Sequence, residues 1–225
     1  LVKGRQSTAI LPTSTSYGAD GILARTKSIQ DLKKIVTYGA EDSVSEYVFY
    51  RGLEKAGEDP KEYQFKHMEP DAAAIALQNG DEKSDVQSIA VWQPFLLQTL
   101  RTTDGSTNLL FDSSNIELEV VDMVLVGNDV LKREKGEDFA KAVAKTFYSL
   151  CELIQTEKYQ KDIVVNIGKK FCNLNYDDMK IVLNKCVFFD TPEAGGGFYK
   201  EEWKDKMSNI VVPTSIKIGL IKKED

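Results

Sequence analysis

The chain has 225 residues, 42% of them hydrophobic and 28% charged, a balance typical of a folded globular protein and not of a disordered one. A formal net charge of -6 excludes the basic surface that nucleic acid requires, and the lysines and arginines never run longer than a pair, which leaves no polybasic patch for a membrane surface. No apolar stretch reaches the roughly 18 residues of a membrane span. No signal-peptide pattern is present, and a start at Leu1-Val2-Lys3-Gly4, so close to a strand, points to processing or to sequence lying upstream.

In chain order, Ser7–Thr13 reads as a strand and Ser14–Gly18 as a loop. Gly21–Ala24 is extended, Ile29–Lys33 is a short helical turn, and Lys34–Tyr38 is a strand that stops at Gly39. Val44–Ala56 is a helix: Val44, Tyr47, Val48, Leu53 and Ala56 fall near helical spacing, and Gly57 ends it. Tyr63–Met68 alternates like a strand, Asp71–Gln78 is helical, Ser88–Trp92 is a short buried strand, and Phe95–Arg101 is a helix with Pro94 at its first position. Asn108–Phe111 and Val120–Val126 are strands. Helices then take over: Phe139–Ile154, with Phe139, Val143, Phe147, Leu150, Cys151 and Ile154 in register, followed by Tyr159–Phe171, Tyr176–Asn184 and Glu193–Met207. Gly195-Gly196-Gly197 reads as the loop that starts the last of these. Lys222-Lys223-Glu224-Asp225 reads as a solvated tail. Alternating strands and helices imply an α/β fold with a mainly parallel sheet.

Chemistry-bearing residues are few. The three cysteines, Cys151, Cys172 and Cys186, form no CxxC, and with the single histidine, His67, they make no zinc pattern. Cys151 lies on an apolar helical face and reads as a buried small hydrophobe. GxSxG, GxxxxGK[ST], HExxH and GxGxxG are absent, so no catalytic residue, no metal and no cofactor is expected.

Three loops remain. Gly39–Glu46 joins a strand to a helix, where open α/β sheets bind ligands. In it Ser43 and Glu46 form an S-x-x-E capping box, with Ser43 expected to accept from the Glu46 amide, and Ser45 sits in the first turn. A helix start favours anions, but Glu41 and Asp42 stand beside this one and turn it toward a neutral or cationic guest. Val91-Trp92-Gln93-Pro94 closes a strand with an aromatic ring that can stack on a planar or cationic ligand. Ser14–Gly21 packs hydroxyls, two glycines and Asp20 into eight residues. Each of the three also has a plain structural use, as a helix start, a core tryptophan and a turn.

Ser16-Tyr17-Gly18-Ala19-Asp20-Gly21-Ile22, Val91-Trp92-Gln93-Pro94, Phe111-Asp112-Ser113-Ser114 and Val121-Asp122-Met123-Val124 follow one another as in the nitrate/sulfonate/taurine-type solute-binding proteins of ABC importers. The resemblance runs from about Gly4 to Leu220 and is strongest toward the branch encoded near urea carboxylase. It implies a periplasmic-binding-protein-like (type II), two-lobed Venus-flytrap fold, closing by hinge motion, with the N-terminal part of lobe one upstream of this chain. Residues 1–19 would be the lobe-one remnant and hinge crossing, 20–125 lobe two, and 126–225 a helical segment packing back on lobe one. It further implies an exported monomer, periplasmic or extracellular and membrane-associated, whose partners are a small-molecule ligand and permease subunits. Ser16, Asp20, Glu41, Asp42, Ser43, Ser45, Trp92 and Gln93 would line the ligand site, with Gln93 standing where relatives carry asparagine. The ligand expected is a small polar nitrogen compound such as urea, guanidinium or an amine. Sulfonate, taurine or nitrate is the alternative within the family, and an enzyme like the thiamin-pyrimidine synthases is the alternative outside it, one that the missing histidine- and cysteine-rich motifs disfavour.

Overall fold

The computed structural model describes residues 6–222. Its elements are β1 (Ser7–Ser16), β2 (Asp20–Ala24), β3 (Val36–Gly39), α1 (Val44–Lys55), β4 (Gln64–His67), α2 (Pro70–Asn79), β5 (Ser88–Trp92), α3 (Phe95–Thr102), β6 (Asn108–Asp112), β7 (Val121–Gly127), α4 (Asn128–Leu131), α5 (Gly136–Gln155), α6 (Glu157–Lys170), α7 (Tyr176–Leu183), β8 (Cys186–Phe188), α8 (Pro192–Phe198), α9 (Glu201–Lys206) and α10 (Val212–Lys217). Two compact units emerge. Unit 1 comprises the chain up to Thr15 with Val121–Lys204, and unit 2 comprises Ser16–Val120 with the chain from Asp205.

Unit 2 is built on a five-stranded sheet in the order β4-β3-β5-β2-β6. β3 runs parallel to β4 and β5, while β2 is antiparallel to both of its neighbours. The sheet is therefore mixed where a mainly parallel one was expected. The chain coming from β1 enters this sheet at the end where β5 finishes, with Asp20 opposite Trp92, so β2 runs against β5 and β6. Both faces of β2 are buried. Ile22 and Ala24 pack with Ile29, Leu32, Phe49 and Leu53 on one side, and Leu23 packs with Ala73, Leu77, Ile89 and Leu96 on the other. Period-two alternation alone distributes these residues between two cores.

The last helical stretch departs from the expected division. Val211, Ile218 and Leu220 pack on a cluster of Tyr47, Val48, Ile116 and Val120, so the chain from Asp205 belongs to unit 2, not with the helices before it. Lys217 Nζ lies 2.6 Å from Glu54, and Lys206 Nζ donates to the Glu117 carbonyl at 2.7 Å. A run of apolar residues that continues past a helical block is enough to change its host. The boundaries also shift, to Thr15/Ser16 and Val120/Val121 in place of 19/20 and 125/126.

Unit 1 holds a three-stranded sheet in the order β7-β1-β8, with β7 antiparallel to β1, and the helices α5–α9. β1 runs on to Ser16 through the expected loop, because Ser14 and Thr15 pair with Asp122 and Val121. β8 was not foreseen, and the helix expected over Glu193–Met207 is divided into α8 and α9 with a π turn beginning at Met207. Gly195-Gly196-Gly197 lies inside α8 and is not a loop; Thr191 starts that helix, accepting from the Ala194 amide. Cys151 is buried, as its place on an apolar face requires. The expected tail beyond Lys222 and the start at Leu1–Gly4 lie outside the described residues.

One buried ionic group ties unit 2 together. Arg51 donates from Nε and Nη2 to the two oxygens of Glu119 at 2.7 and 2.8 Å, and from Nη1 to Glu54; Tyr47 Oη donates to Glu119 at 2.7 Å. Burial by itself pushes the Glu119 carboxyl up, but the bonds from Arg51 and Tyr47 outweigh it and hold the group below the usual carboxylate range. Glu119→Ala leaves Arg51 buried with only Glu54, and we expect a loss of about 3 kcal/mol in urea unfolding, since breaking a buried pair costs more than its net worth. Because the folded pKa of Glu119 is depressed, its contribution is present above the unfolded value near 4.3 and is lost as pH falls below that through the folded value. The wild type should therefore lose stability with acidification more steeply than Glu119→Ala in that window, and parallel curves would refute the assignment.

Candidate functional site

The site is assembled from one end of the unit 2 sheet. Tyr38 stands beside Ile89 in the parallel β3–β5 pair, so β3 leaves the sheet at Gly39 on the same end at which β5 leaves at Trp92. The approach is close: a Cβ on Gly39 would lie 2.6 Å from the Ala90 carbonyl, which only glycine avoids. β2 reaches this end by beginning there, not by finishing there, with Asp20 directly opposite Trp92. The three segments singled out by sequence thus share one end of one sheet, although the first arrives by an antiparallel route.

Asp20 is 8% exposed, and residues directly opposite in an antiparallel pair project from the same face. The Trp92 ring is half-buried and meets Phe95 edge-on at 6.4 Å between centroids. Gln93 is buried. Its backbone amide donates to the Ala19 carbonyl at 2.8 Å, and its side-chain oxygen accepts from the Leu97 amide at 3.2 Å. The Gln93 side chain is thus used to start α3. Pro94 precedes that helix as its cap residue, one position earlier than expected, and the Gln93–Pro94 peptide is cis.

The turn into α1 also differs in detail from the expected capping box. Ser43 Oγ accepts from the Ser45 amide at 3.1 Å, not from Glu46, and donates to the Ala40 carbonyl at 2.6 Å. Glu46 reaches back one residue further than expected, to the Asp42 amide at 2.8 Å. The shift follows from Asp42, whose φ of 52° tightens the turn by one position, a left-handed conformation that aspartate tolerates better than most residues. Glu41 turns toward β4: its carboxylate accepts from the His67 amide at 3.1 Å, and its own amide donates to His67 Nδ1 at 3.3 Å. Since β4 and β5 flank β3 on opposite sides, Glu41 is directed away from Trp92. Burial, followed by the charges of Asp42 and Glu41, pushes the Glu46 carboxyl up, against the Asp42 amide that pulls it down. Ser45 is 2% exposed, and its hydroxyl has no hydrogen-bond partner.

Ser113 organises the site, although sequence reasoning did not choose it. It is fully buried; its hydroxyl pairs with Ser16 Oγ at 2.6 Å and accepts from the amides of Gly18 at 2.8 Å and Asp20 at 3.4 Å. One serine at the end of β6 therefore holds the whole entry loop of β2. The signal available was the Phe111-Asp112-Ser113-Ser114 run directly after a strand, in which Asp112 caps the turn through the Ser114 amide at 2.9 Å. Among the described residues no cluster of histidine, cysteine or acidic side chains is placed to hold a metal ion.

Set against solved structures, the geometry has clear counterparts. The periplasmic aliphatic sulphonate binding protein SsuA from Escherichia coli is 20% identical and superposes with a TM-score of 0.67, the match covering 93% of this chain and 70% of that one. This chain carries the periplasmic-binding-protein fold. The alkanesulfonate-binding protein SsuA from Xanthomonas axonopodis pv. citri bound to MOPS is similar at 18% identity and a TM-score of 0.74, covering 98% and 71%. A ligand-binding component of an ABC-type import system from Staphylococcus aureus, with zinc bound, gives 14% identity, a TM-score of 0.63 and coverage of 97% and 69%. No family model and no curated protein matches the sequence. The resemblance read from four short motifs thus reaches the same fold as the superpositions. The urea-carboxylase branch has no counterpart among these structures.

Within this periplasmic-binding-protein fold, Ser113→Ala removes the acceptor of two buried amides at the mouth of β2. We expect a loss of about 1–3 kcal/mol in chemical unfolding. Ser114→Ala, which touches only the local Asp112 turn, should cost less. Equal costs would show that Ser113 does not organise the loop.

Proposed function

We propose that the chain is the solute-binding component of an ABC importer and that it captures a small polar nitrogen compound of the urea, guanidinium or amine type. The observation that carries the ligand class is the pairing of a buried carboxylate, Asp20, with an aromatic ring, Trp92, across the β2–β5 ladder. A carboxylate accepts N–H donors, and an indole face attracts a planar or cationic group. Ser16 and Ser43 supply hydroxyls on the flanking loops, and Asp42 with Glu46 adds negative charge at the α1 turn. Glu41 acts on this reading through its charge, since its carboxylate is tied to the His67 amide. Gln93 and Ser45 act from below, one by starting α3 and the other as a buried hydroxyl under the α1 turn. The importer role is supported by the binding proteins that share the fold, and it implies export and permease partners.

A sulfonate is the second reading. It is favoured by the sulfonate-binding proteins among the similar structures and by the positive end of α1, which Ser43 caps and where Ser45 lies in the first turn.

Calorimetric titration with urea, guanidinium, small amines, taurine and an alkylsulfonate separates the two. On the proposed reading a nitrogen compound binds, and Asp20→Ala weakens it at least tenfold, about 1.4 kcal/mol. Trp92→Ala should weaken it as well, whereas Glu41→Ala should lower affinity less than Asp20→Ala. Tight binding of taurine or an alkylsulfonate that improves in Asp20→Ala would sink the nitrogen-compound reading and leave the anion one.

A further inference from the structure

His67 is the only histidine in the chain, and histidine is the side chain whose ordinary change of charge, near pH 6.5, falls between about pH 5 and 8. It ends β4 beside Gly39, the last residue of β3, where the Met68 amide donates to the Gly39 carbonyl at 2.8 Å. Just past that point His67 and Glu41, 26 positions apart, exchange side-chain-to-backbone bonds. The His67 amide donates to Glu41 Oε1 at 3.1 Å, and the Glu41 amide donates to His67 Nδ1 at 3.3 Å. This reciprocal pair ties the turn that carries Asp42 and Ser43 to the edge strand of the sheet.

The second of these bonds exists in one protonation state only. Nδ1 accepts and so carries no proton, which leaves the ring proton on Nε2, 3.4 Å from Glu69 Oε1. A further proton goes to Nδ1. It turns that acceptor into a donor and leaves two N–H groups opposed. The ring is open to it, with the side chain 53% exposed. The charged groups that face the ring are acids: Glu41 from the β3–α1 turn and Glu69 from the link to α2, with Asp42 and, from α1, Glu46 behind Glu41. Lys66, the adjacent cation, belongs to the opposite face of β4 by strand alternation.

We propose that His67 is a proton-sensitive latch on the α1 turn, which lowers the affinity of the site for a cationic guest as the medium turns acid. The latch stands on the Glu41–His67 geometry, and its effect on a cation rests on the nitrogen-compound reading above. With the ring neutral, His67 holds the Glu41 amide, and the Glu41 carboxylate keeps its full charge beside the turn. With the ring protonated, the Glu41 amide is released and a full positive charge stands next to that carboxylate. The negative potential at the start of α1 falls. A guanidinium or ammonium group loses attraction, a sulfonate gains it, and uncharged urea senses only the loosened turn. Both partners are exposed and act through water, so the change is a few-fold and not a loss of binding.

Two measurements on the whole chain test this. A single histidine gives a single set of ring signals in NMR, and the ring nitrogen shifts tell which atom carries the proton. Above about pH 7.5, one unit over the ordinary histidine value, the Nε2–H form is expected. As the pH falls to about 5.5, the Glu41 amide signal should move with the same midpoint as the ring, and it should stay in place in His67→Gln. Calorimetric titration of guanidinium over the same range should show wild-type affinity falling about two- to fivefold, with no such fall in His67→Gln. An Nδ1–H form at the upper pH overturns the proposal, as does a Glu41 amide indifferent to the ring. A fall in affinity that is equal in wild type and His67→Gln also overturns it and assigns the pH dependence to another acid, such as Glu46. If no nitrogen compound binds at either pH and an alkylsulfonate does, the nitrogen-compound reading fails by itself. The latch then stands if the sulfonate tightens on acidification in wild type and not in His67→Gln, and falls if the two behave alike.

Discussion

Much of unit 2 depends on the register of β2. This strand is five residues long, all of them buried, and it lies between β5 and β6 with a core on each face. A slip of one residue would exchange Ile22 and Ala24 with Leu23, sending the wrong volumes to both sides, so packing fixes the pairing twice over. Once the pairing is fixed, Asp20 has no freedom along the strand and stands opposite Trp92. The position of a polar group at the sheet end is thus decided by apolar residues two to four positions away. Gly21 takes part: a Cβ there would lie 2.7 Å from Leu96 Cδ1 and 2.9 Å from the Phe111 carbonyl, so the strand sits as close to α3 and β6 as it does only because that residue is glycine.

The loop before β2 has no such packing and relies on hydrogen bonds. Ser113 supplies them, accepting from Gly18 and Asp20 and pairing with Ser16. A buried hydroxyl that serves several partners is costly to remove, because each partner is left unpaired away from water. On the other side of the sheet end, the α1 turn depends on Ser43 and on Glu46 reaching back to Asp42. The two loops that flank Trp92 are therefore held by separate polar devices, each short in sequence range on the α1 side and long in range on the β2 side.

That difference in range explains what could be read from the sequence. The α1 helix and the strands β3 to β6 follow from local patterns: apolar periodicity, glycine stops, and hydroxyl and acidic residues at a helix start. The antiparallel direction of β2 was not legible, because alternation gives a strand its faces and says nothing of its sense. Ser113 was quoted as part of a motif but not chosen as a site residue, since its partners lie up to 97 positions away. β8, only three residues between helices, is too short for a periodic signal, and the host of the last helix was set by contacts of Val211, Ile218 and Leu220 with residues far upstream. The capping box was recognised in kind but shifted in detail, because the left-handed backbone at Asp42 is a property of the folded turn.

The charge of the site follows from how its acids are distributed, not from how many there are. Glu41 and Asp42 were expected to act together on a ligand at the start of α1. The bond from the His67 amide instead draws Glu41 to the β4 side, and Glu46 comes in behind Asp42. Burial and then its acidic neighbours push the carboxyl of Glu46 up, against the Asp42 amide that pulls it down. A helix start offers about half a positive charge and loses its reach within a turn. A sulfonate brought to it would meet that half-charge and, close by, two carboxylates of like sign. On the proposed reading a donor of N–H groups is met beside Trp92 by Asp20, a buried acid. On the proposed reading, then, the sign of the preferred ligand is set by the single acid that the β2 register places, with the α1 turn shaping the site from one side.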